Sequence, residues 1–293
     1  MSLPKFEYIA AQSIEEAANL AAEMGDKCMI MAGGTDVIPL LKDRVITPEY
    51  IIDLKKIPEL DALEHIPGKG LRVGALTKLR SIETSEMVKK DFPAVAAAAH
   101  YVASTQIRCK GTMAGNICNA SPSADTPPIL IVMGATVSTM RKSGQGRTFP
   151  IGDLFKGVKK TNLDREEGEL VTEIDIPELG KGEGAAYYKH AVRKAMDLAI
   201  IGVASWVKMD GDTIADCRIA VGGAAITPVR ATSAEKLLIG NRFSDELLEK
   251  AAEATSNDIH PISDVRASAE YRIDMVRVFT KRSFKKALED IKA

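Results

Sequence analysis

Two glycine-bearing bends some eighty positions apart constrain this chain more than any other feature in it. The first, Ala32-Gly33-Gly34-Thr35-Asp36, follows Cys28-Met29-Ile30-Met31, a short apolar run suited to a buried strand. The second, Gly111-Thr112-Met113-Ala114-Gly115-Asn116, lies in a stretch from Ser104 to Pro128 of small and polar residues with little periodicity. Connections that long are functional or disordered, and the apolar flanks favour function. Glycine has no Cβ and reaches positive φ, so backbone N–H groups can close on a diphosphate. Thr35 and Thr112 add hydroxyls without bulk. Two such bends could grip one cofactor from opposite sides. On spacing alone, two ordinary turns are an equal reading, because Gly-Gly is common punctuation.

Around the bends the elements are readable. Ser13-Ile14-Glu15-Glu16 is a capping box for a helix running to Met24 and stopped by Gly25. Tyr50 to Leu54 is a strand, and Pro67-Gly68-Lys69-Gly70 joins 62–66 to 71–75 as a hairpin. Helices are predicted from Leu79 to Val88, from Phe92 to Val102 with Pro93 in the first turn, and from Asp125 through Met133 to Gly134. Strands follow at 135–141 and 170–176, and Glu178 to Gly184 is a polar, Gly-rich linker. Beyond it come three strands, 185–189, 199–209 and 213–222, the last two joined by Asp210-Gly211-Asp212. Helices fill the rest, the longest from Ala269 to Ile291 with an apolar stripe. Strands followed by helices make an α+β second domain.

A chain of 293 residues suits two domains or three, and 39 Lys+Arg against 40 Asp+Glu leave a net charge of −1. That balance argues against a partner as anionic as nucleic acid. No apolar run reaches the roughly 18 to 20 residues of a membrane span, and Met-Ser-Leu-Pro-Lys-Phe-Glu lacks the regions of a signal peptide, so a cytoplasmic location is expected. Cys28, Cys109, Cys118 and Cys217 form no C-x-x-C, and His65, His100, His190 and His260 form no H-x-x-x-H, so reduced thiols and no metal are expected. There is no phosphate-transfer loop and no nucleophile elbow. Gly180-x-Gly182-x-Gly184 leads into a strand and fails as a dinucleotide fingerprint. No residue here is expected to be catalytic on a substrate.

Ile30-Met31-Ala32-Gly33-Gly34-Thr35-Asp36-Val37 and Ser104-Thr105-Gln106-Ile107-Arg108 through Gly111 to Asp125 resemble the two flavin loops of a known family. It is the FAD-binding medium subunit of molybdenum hydroxylases, of the carbon monoxide dehydrogenase and xanthine dehydrogenase type. The second motif, usually Q-I-R-N-x-G-T-I-G-G-N-x-x-x-A-S-P-x-x-D, carries the likeness. Cys109 replaces its Asn and Ala114 its first paired glycine; a positive φ at Ala114 would be strained.

The resemblance implies an α+β fold of the PCMH/vanillyl-alcohol-oxidase-like kind. Two α/β subdomains, about 1–56 and 57–177, bind FAD, and a C-terminal domain, 178–293, holds a three-stranded antiparallel sheet and helices. It implies that Ile30 to Val37, with Thr112, Ala114, Gly115 and Asn116, hold the diphosphate and ribityl chain, and that Asp125 bonds the ribose or adenine end. A plain helix N-cap is the alternative for Asp125. Val171 matches a position beside the flavin.

Lys189, Arg193 and Asp197 resemble the family's K-x-x-x-R-x-x-x-D element, which would set the Lys189 cation near the flavin N1–C2=O edge, where charge collects on reduction. Their four-residue spacing also fits a solvated helical face. Tyr187 and Tyr188 either shield the flavin or divide between core and rim. Trp206, Met24, Met29, Met31 and Met133 read as core, and the acidic run Asp164 to Glu169 as exposed.

By that resemblance the chain is the FAD electron-transfer subunit of a complex. Molybdopterin lies in a large subunit and 2Fe-2S clusters in a small one, in a dimer of heterotrimers, with NAD or another acceptor. No clustered cysteines suggest a second cofactor in this chain. A stand-alone FAD reductase or oxidase of the same fold and a non-catalytic scaffold are the alternatives.

Overall fold

The computed structural model describes residues 3–291; the outermost residues of the two expected domains, 1, 2, 292 and 293, lie outside the described residues. The chain opens with β1 (Glu7–Ala10), α1 (Ile14–Met24), β2 (Cys28–Met31), α2 (Val37–Lys42) and β3 (Tyr50–Asp53). The Ser13 hydroxyl accepts the Glu16 N–H at 3.1 Å, starting α1, and Gly25 at φ +52 stops it. The strands pair in parallel in the order β1-β3-β2, which needs crossovers such as α1 and α2. Parallel strands point their C-terminal ends the same way. The first glycine bend therefore leaves β2 at the sheet edge from which α2 departs.

A second sheet follows, built from β4 (Leu63–Ile66), β5 (Gly70–Gly74), β6 (Thr136–Met140), β7 (Thr148–Pro150) and β10 (Leu170–Pro177), in the antiparallel order β4-β5-β10-β6-β7. Between β5 and β6 run α3 (Leu79–Thr84), α4 (Glu86–Asp91), α5 (Pro93–Tyr101), α6 (Thr105–Arg108), α7 (Met113–Cys118) and α8 (Thr126–Val132). Two short strands, β8 (Phe155–Gly157) and β9 (Lys160–Thr161), precede β10.

The C-terminal sheet is antiparallel, in the order β11 (Glu183–His190), β12 (Ile201–Asp210), β13 (Thr213–Gly222) and β14 (Val229–Arg230), followed by α9 (Thr232–Leu238), α10 (Asp245–Ala254) and α11 (Ala269–Glu289). Its alternation decides the packing of the molecule. Ala185, Tyr187, Ala204, Trp206 and Ala220 join the N-terminal core, whereas Ala186, Val203, Val207, Ile219 and Val221 pack with Val276, Phe279 and Phe284 of α11. The sheet is buried on both faces. One face carries Tyr187, which with Lys189 of the same strand bonds Asp125.

Several expectations need correcting. The helix expected over 79–88 is two, because the Ser85 hydroxyl accepts the Val88 N–H and starts a new one. The stretch 104–128 is not an open loop: α6, α7 and the start of α8 lie in it, capped by Ser104 and Thr112. The C-terminal sheet has four strands, since the two-residue β14 pairs with Ala220 and Val221. Lys189 lies in β11, one residue before its end, and Arg193 and Asp197 follow in an irregular connection, so the three share no helical face. In the acidic run, Glu169 is buried, held by Arg147 at 2.6 Å and the Thr139 hydroxyl at 2.7 Å. Trp206, Met31 and Met133 are buried, while Met24 and Met29 are half-buried.

Candidate functional site: two converging glycine loops and a buried lysine

The two bends meet. A Cβ placed on Gly33 would lie 2.1 Å from the Lys110 carbonyl oxygen and 2.9 Å from the Gly111 Cα, so the backbones touch where only glycine fits. On the other side, a Cβ on Gly111 would lie 3.2 Å from the Thr35 hydroxyl. Gly34 takes φ +73, and its carbonyl accepts the Ile38 N–H at 3.0 Å as α2 begins. Beyond it the Asp36 carboxylate accepts Asn119 Nδ2 at 2.9 Å, and Lys159 donates to Asn119 Oδ1 at 3.1 Å. Burial raises the Asp36 carboxyl above its usual range, opposed by Lys159. Lys159, from the β8–β9 turn, thus holds Asn119, which bridges to the first loop.

The second bend is gripped from behind by α3. The Leu79 N–H bonds the Gly111 carbonyl at 2.9 Å, and the Glu83 carboxylate takes Arg108 Nε at 2.8 Å and Nη2 at 3.1 Å. Arg108 is buried and also donates to the Val102 carbonyl at 2.9 Å. Burial would raise the Glu83 carboxyl, but the Arg108, His100 and Arg80 bonds outweigh it and hold it at about 2.

Thr112 caps α7, its hydroxyl accepting the Gly115 N–H at 2.9 Å, which leaves the hydroxyl proton to give away. Ala114 sits inside α7 without positive φ, so the missing glycine costs the backbone nothing. Asn116 Oδ1 accepts the Thr126 hydroxyl at 2.6 Å, folding the end of the stretch back on its start. Ile30, Met31 and Val37 pack into hydrophobic clusters, Ile30 and Val37 only partly buried, and Val171 is buried beside a bulge in β10.

Asp125 does not cap its helix. It is 5% exposed, and its oxygens accept the Tyr187 hydroxyl at 2.9 Å and Lys189 Nζ at 2.9 Å. The Lys189 ammonium also donates to the carbonyls of Tyr101 at 3.0 Å and Asp197 at 2.7 Å, so all three of its N–H bonds are spoken for. Burial pushes the Asp125 carboxyl up to about 6 despite Lys189 and Tyr187. The Tyr187 hydroxyl is raised well above its ordinary value, first by burial and then by Asp125. Asp125 and Lys189, assigned by the resemblance to opposite ends of one flavin, are therefore in direct contact.

Arg193 stays exposed, giving its N–H to the Asp197 carboxylate at 3.1 Å. Tyr187 and Tyr188 divide between faces: Tyr187 meets Tyr101 edge-on at 5.9 Å, and Tyr188 turns to Phe279 of α11. Tyr101, Glu83 and Lys159 were missed by the sequence reading. Tyr101 acts through its carbonyl and carries no side-chain signal; Glu83 and Lys159 lie far along the chain from Arg108 and Asn119.

The convergence of the bends is matched by likeness along the whole chain. The family described as the FAD binding domain in molybdopterin dehydrogenase matches residues 4–179, and the CO dehydrogenase flavoprotein C-terminal domain matches 186–287. The chain belongs to the FAD-binding subunits of molybdopterin dehydrogenases. It is 37% identical over 282 residues to the glyceraldehyde dehydrogenase medium chain of Sulfolobus acidocaldarius, covering 96% of this chain and 98% of that one. To the carbon monoxide dehydrogenase medium chain of Hydrogenophaga pseudoflava it is 34% identical, covering 97% of each. A solved carbon monoxide dehydrogenase from that organism matches with TM-score 0.94 at 32% identity over the full length of both chains. Like these medium chains, it is an oxidoreductase subunit with an FAD-binding domain. Among the described residues no group of His, Cys, Asp and Glu could hold a metal ion.

Proposed function

We propose that this medium subunit holds FAD between the two glycine bends and the Asp125–Lys189 crevice. The observation that carries the reading is the backbone contact at Gly33, which admits no side chain and leaves the N–H-rich bends side by side. Gly33, Gly34 and Thr35 with Thr112, Gly115 and Asn116 are the proposed diphosphate and ribityl contacts, made by backbone N–H groups and the two hydroxyls. Ile30, Met31, Ala32, Asp36, Val37, Ala114 and Val171 shape that cradle. Asp125 and Lys189 act as one unit, the ammonium supplying positive charge where reduction adds electrons. The Asp197 carbonyl and Tyr101 carbonyl orient it.

Bound FAD supplies the exchange between one-electron donors and a two-electron acceptor. In the proposed assembly the donors are 2Fe-2S clusters of a small subunit, molybdopterin lies in a large subunit, and the acceptor is NAD or another carrier. Relatives named as medium chains or complex subunits support such partners; a dimer of heterotrimers acting in the cytoplasm is the assembly proposed. Residues 1–177, divided near 56, would be the FAD-binding domain and 178–293 the C-terminal one, a division supported by the separate three-, five- and four-stranded sheets.

The test is retention. The purified chain incubated with FAD or FMN and passed through a desalting filter should keep FAD and lose FMN; a chain that keeps neither overturns the proposal. Co-purification with the products of neighbouring reading frames tests the partners.

A further inference from the structure

The Lys189 ammonium is bound by three acceptors, and only one of them can change its charge. The carbonyls of Tyr101 and Asp197 are fixed dipoles, whereas Asp125 is a carboxyl group, 2.9 Å from Nζ and almost wholly out of water. While Asp125 is ionised, the pair is neutral and the ammonium contributes little field outside it. When Asp125 is protonated, a full positive charge appears in the crevice with no residue moved.

Resting on the FAD reading above, we infer that Asp125 is the proton-holding partner of Lys189, taking up one proton when the bound flavin is reduced and releasing it on reoxidation. Two electrons enter the flavin from iron–sulfur donors or an electrode. One proton passes from solvent to an Asp125 carboxylate oxygen, in addition to any the flavin takes itself. No bond to carbon forms or breaks in this chain, and the ammonium is left to balance the added negative charge.

The surroundings suit this. From β11, Lys189 and Tyr187 face Asp125; from α5 come the Tyr101 carbonyl and ring; from the 191–199 connection comes Asp197, whose own carboxylate is satisfied by Arg193. Burial already raises Asp125 to about 6, and a negative charge placed nearby raises a carboxyl further. The ribose contact implied by the resemblance would use the same two oxygens, both already receiving donors.

The experiment is the flavin midpoint potential of the FAD-loaded full chain between pH 6 and 9, in wild type, D125N and K189M. Wild type should show a dependence on pH steeper than that of D125N by one proton per two electrons over part of the range. That is a tenfold change in the redox equilibrium per pH unit, or about 30 mV. K189M, with Asp125 already protonated before reduction, should lose the extra slope as D125N does. If D125N does not fold, the infrared difference spectrum of reduced minus oxidised wild type at pH 7 decides, through a protonated-carboxyl band gained on reduction. Parallel slopes in wild type and D125N, or no such band, overturn the inference with the FAD reading intact. A chain that retains no flavin colour overturns both.

Discussion

The Lys110 carbonyl oxygen occupies the space that any side chain at Gly33 would need, 2.1 Å from where its Cβ would be. Two segments far apart in sequence thus share one van der Waals surface, and the interloop geometry depends on a missing methyl group. G33A must push the bends apart. Overpacking of this kind costs about 1–3 kcal/mol, and the loss should fall on FAD affinity, at least tenfold in a filtration or fluorescence titration. G111A, whose Cβ would meet the Thr35 hydroxyl and the Ile107 carbonyl oxygen no closer than 3.2 Å, should lose less. Equal affinity in G33A and wild type would mean the bends do not set the site.

Acid should unfold this protein through Glu83 and Glu169. Burial works to raise both carboxyls, yet Arg108 on Glu83 and Arg147 on Glu169 prevail and hold each at about 2. A depressed folded-state value means stability present above about 4.5 and lost as pH falls toward 2. Each group contributes on the order of 2–3 kcal/mol across that window. E83Q and E169Q should be destabilised at pH 7 but show a flatter decline from pH 5 to 3 in urea unfolding. An unchanged acid slope in both would remove them as the cause. Because Glu83 braces Arg108 behind the second bend, E83Q should also weaken FAD binding, which E169Q should spare.

Local grammar made the scaffold legible. Gly25, Pro67 to Gly70 and Asp210-Gly211 marked the turns, and the alternation of 185–189 and 199–209 gave strands whose two faces the structure buries separately. The site's loops were legible because glycine's lack of a side chain is itself a local signal. What could not be read was pairing across distance. Asp125 meets partners 62 and 64 positions on, and Glu83 one 25 positions on, with nothing in either neighbourhood to announce it. Helix α7 escaped because Ala114, Gly115 and Asn116 have no amphipathic period; the Thr112 cap to Gly115 was its one local signature. The two-residue β14 is too short to carry a pattern at all.

The thiols should report on the second bend. Cys109 is exposed beside Lys110, while burial pushes Cys118 and Cys217 up to about 12 and raises Cys28. A thiolate-specific reagent at pH 8 should therefore titrate one group fast in the native protein and four after denaturation. Saturating FAD should slow that one group, and C109S should abolish the fast phase. Two or more fast groups would mean the core around Cys118 opens readily.

The Asp125–Lys189 pair should respond to pH with the opposite sign from Glu83 and Glu169. Its carboxyl is raised to about 6 by burial, so its contribution to stability is complete below about 3.9 and is lost as pH rises through 6. Ionising it in place costs on the order of 3 kcal/mol. The two single truncations should therefore differ. D125A strands a buried ammonium on two carbonyls, a loss of about 3–5 kcal/mol. K189M leaves a carboxyl that can simply keep its proton and still receive the Tyr187 hydroxyl, so its cost should be smaller at pH 5 and grow toward pH 8. Urea midpoints at the two pH values measure this. If K189M loses no more stability than wild type between pH 5 and 8, Asp125 is not the group that burial strains.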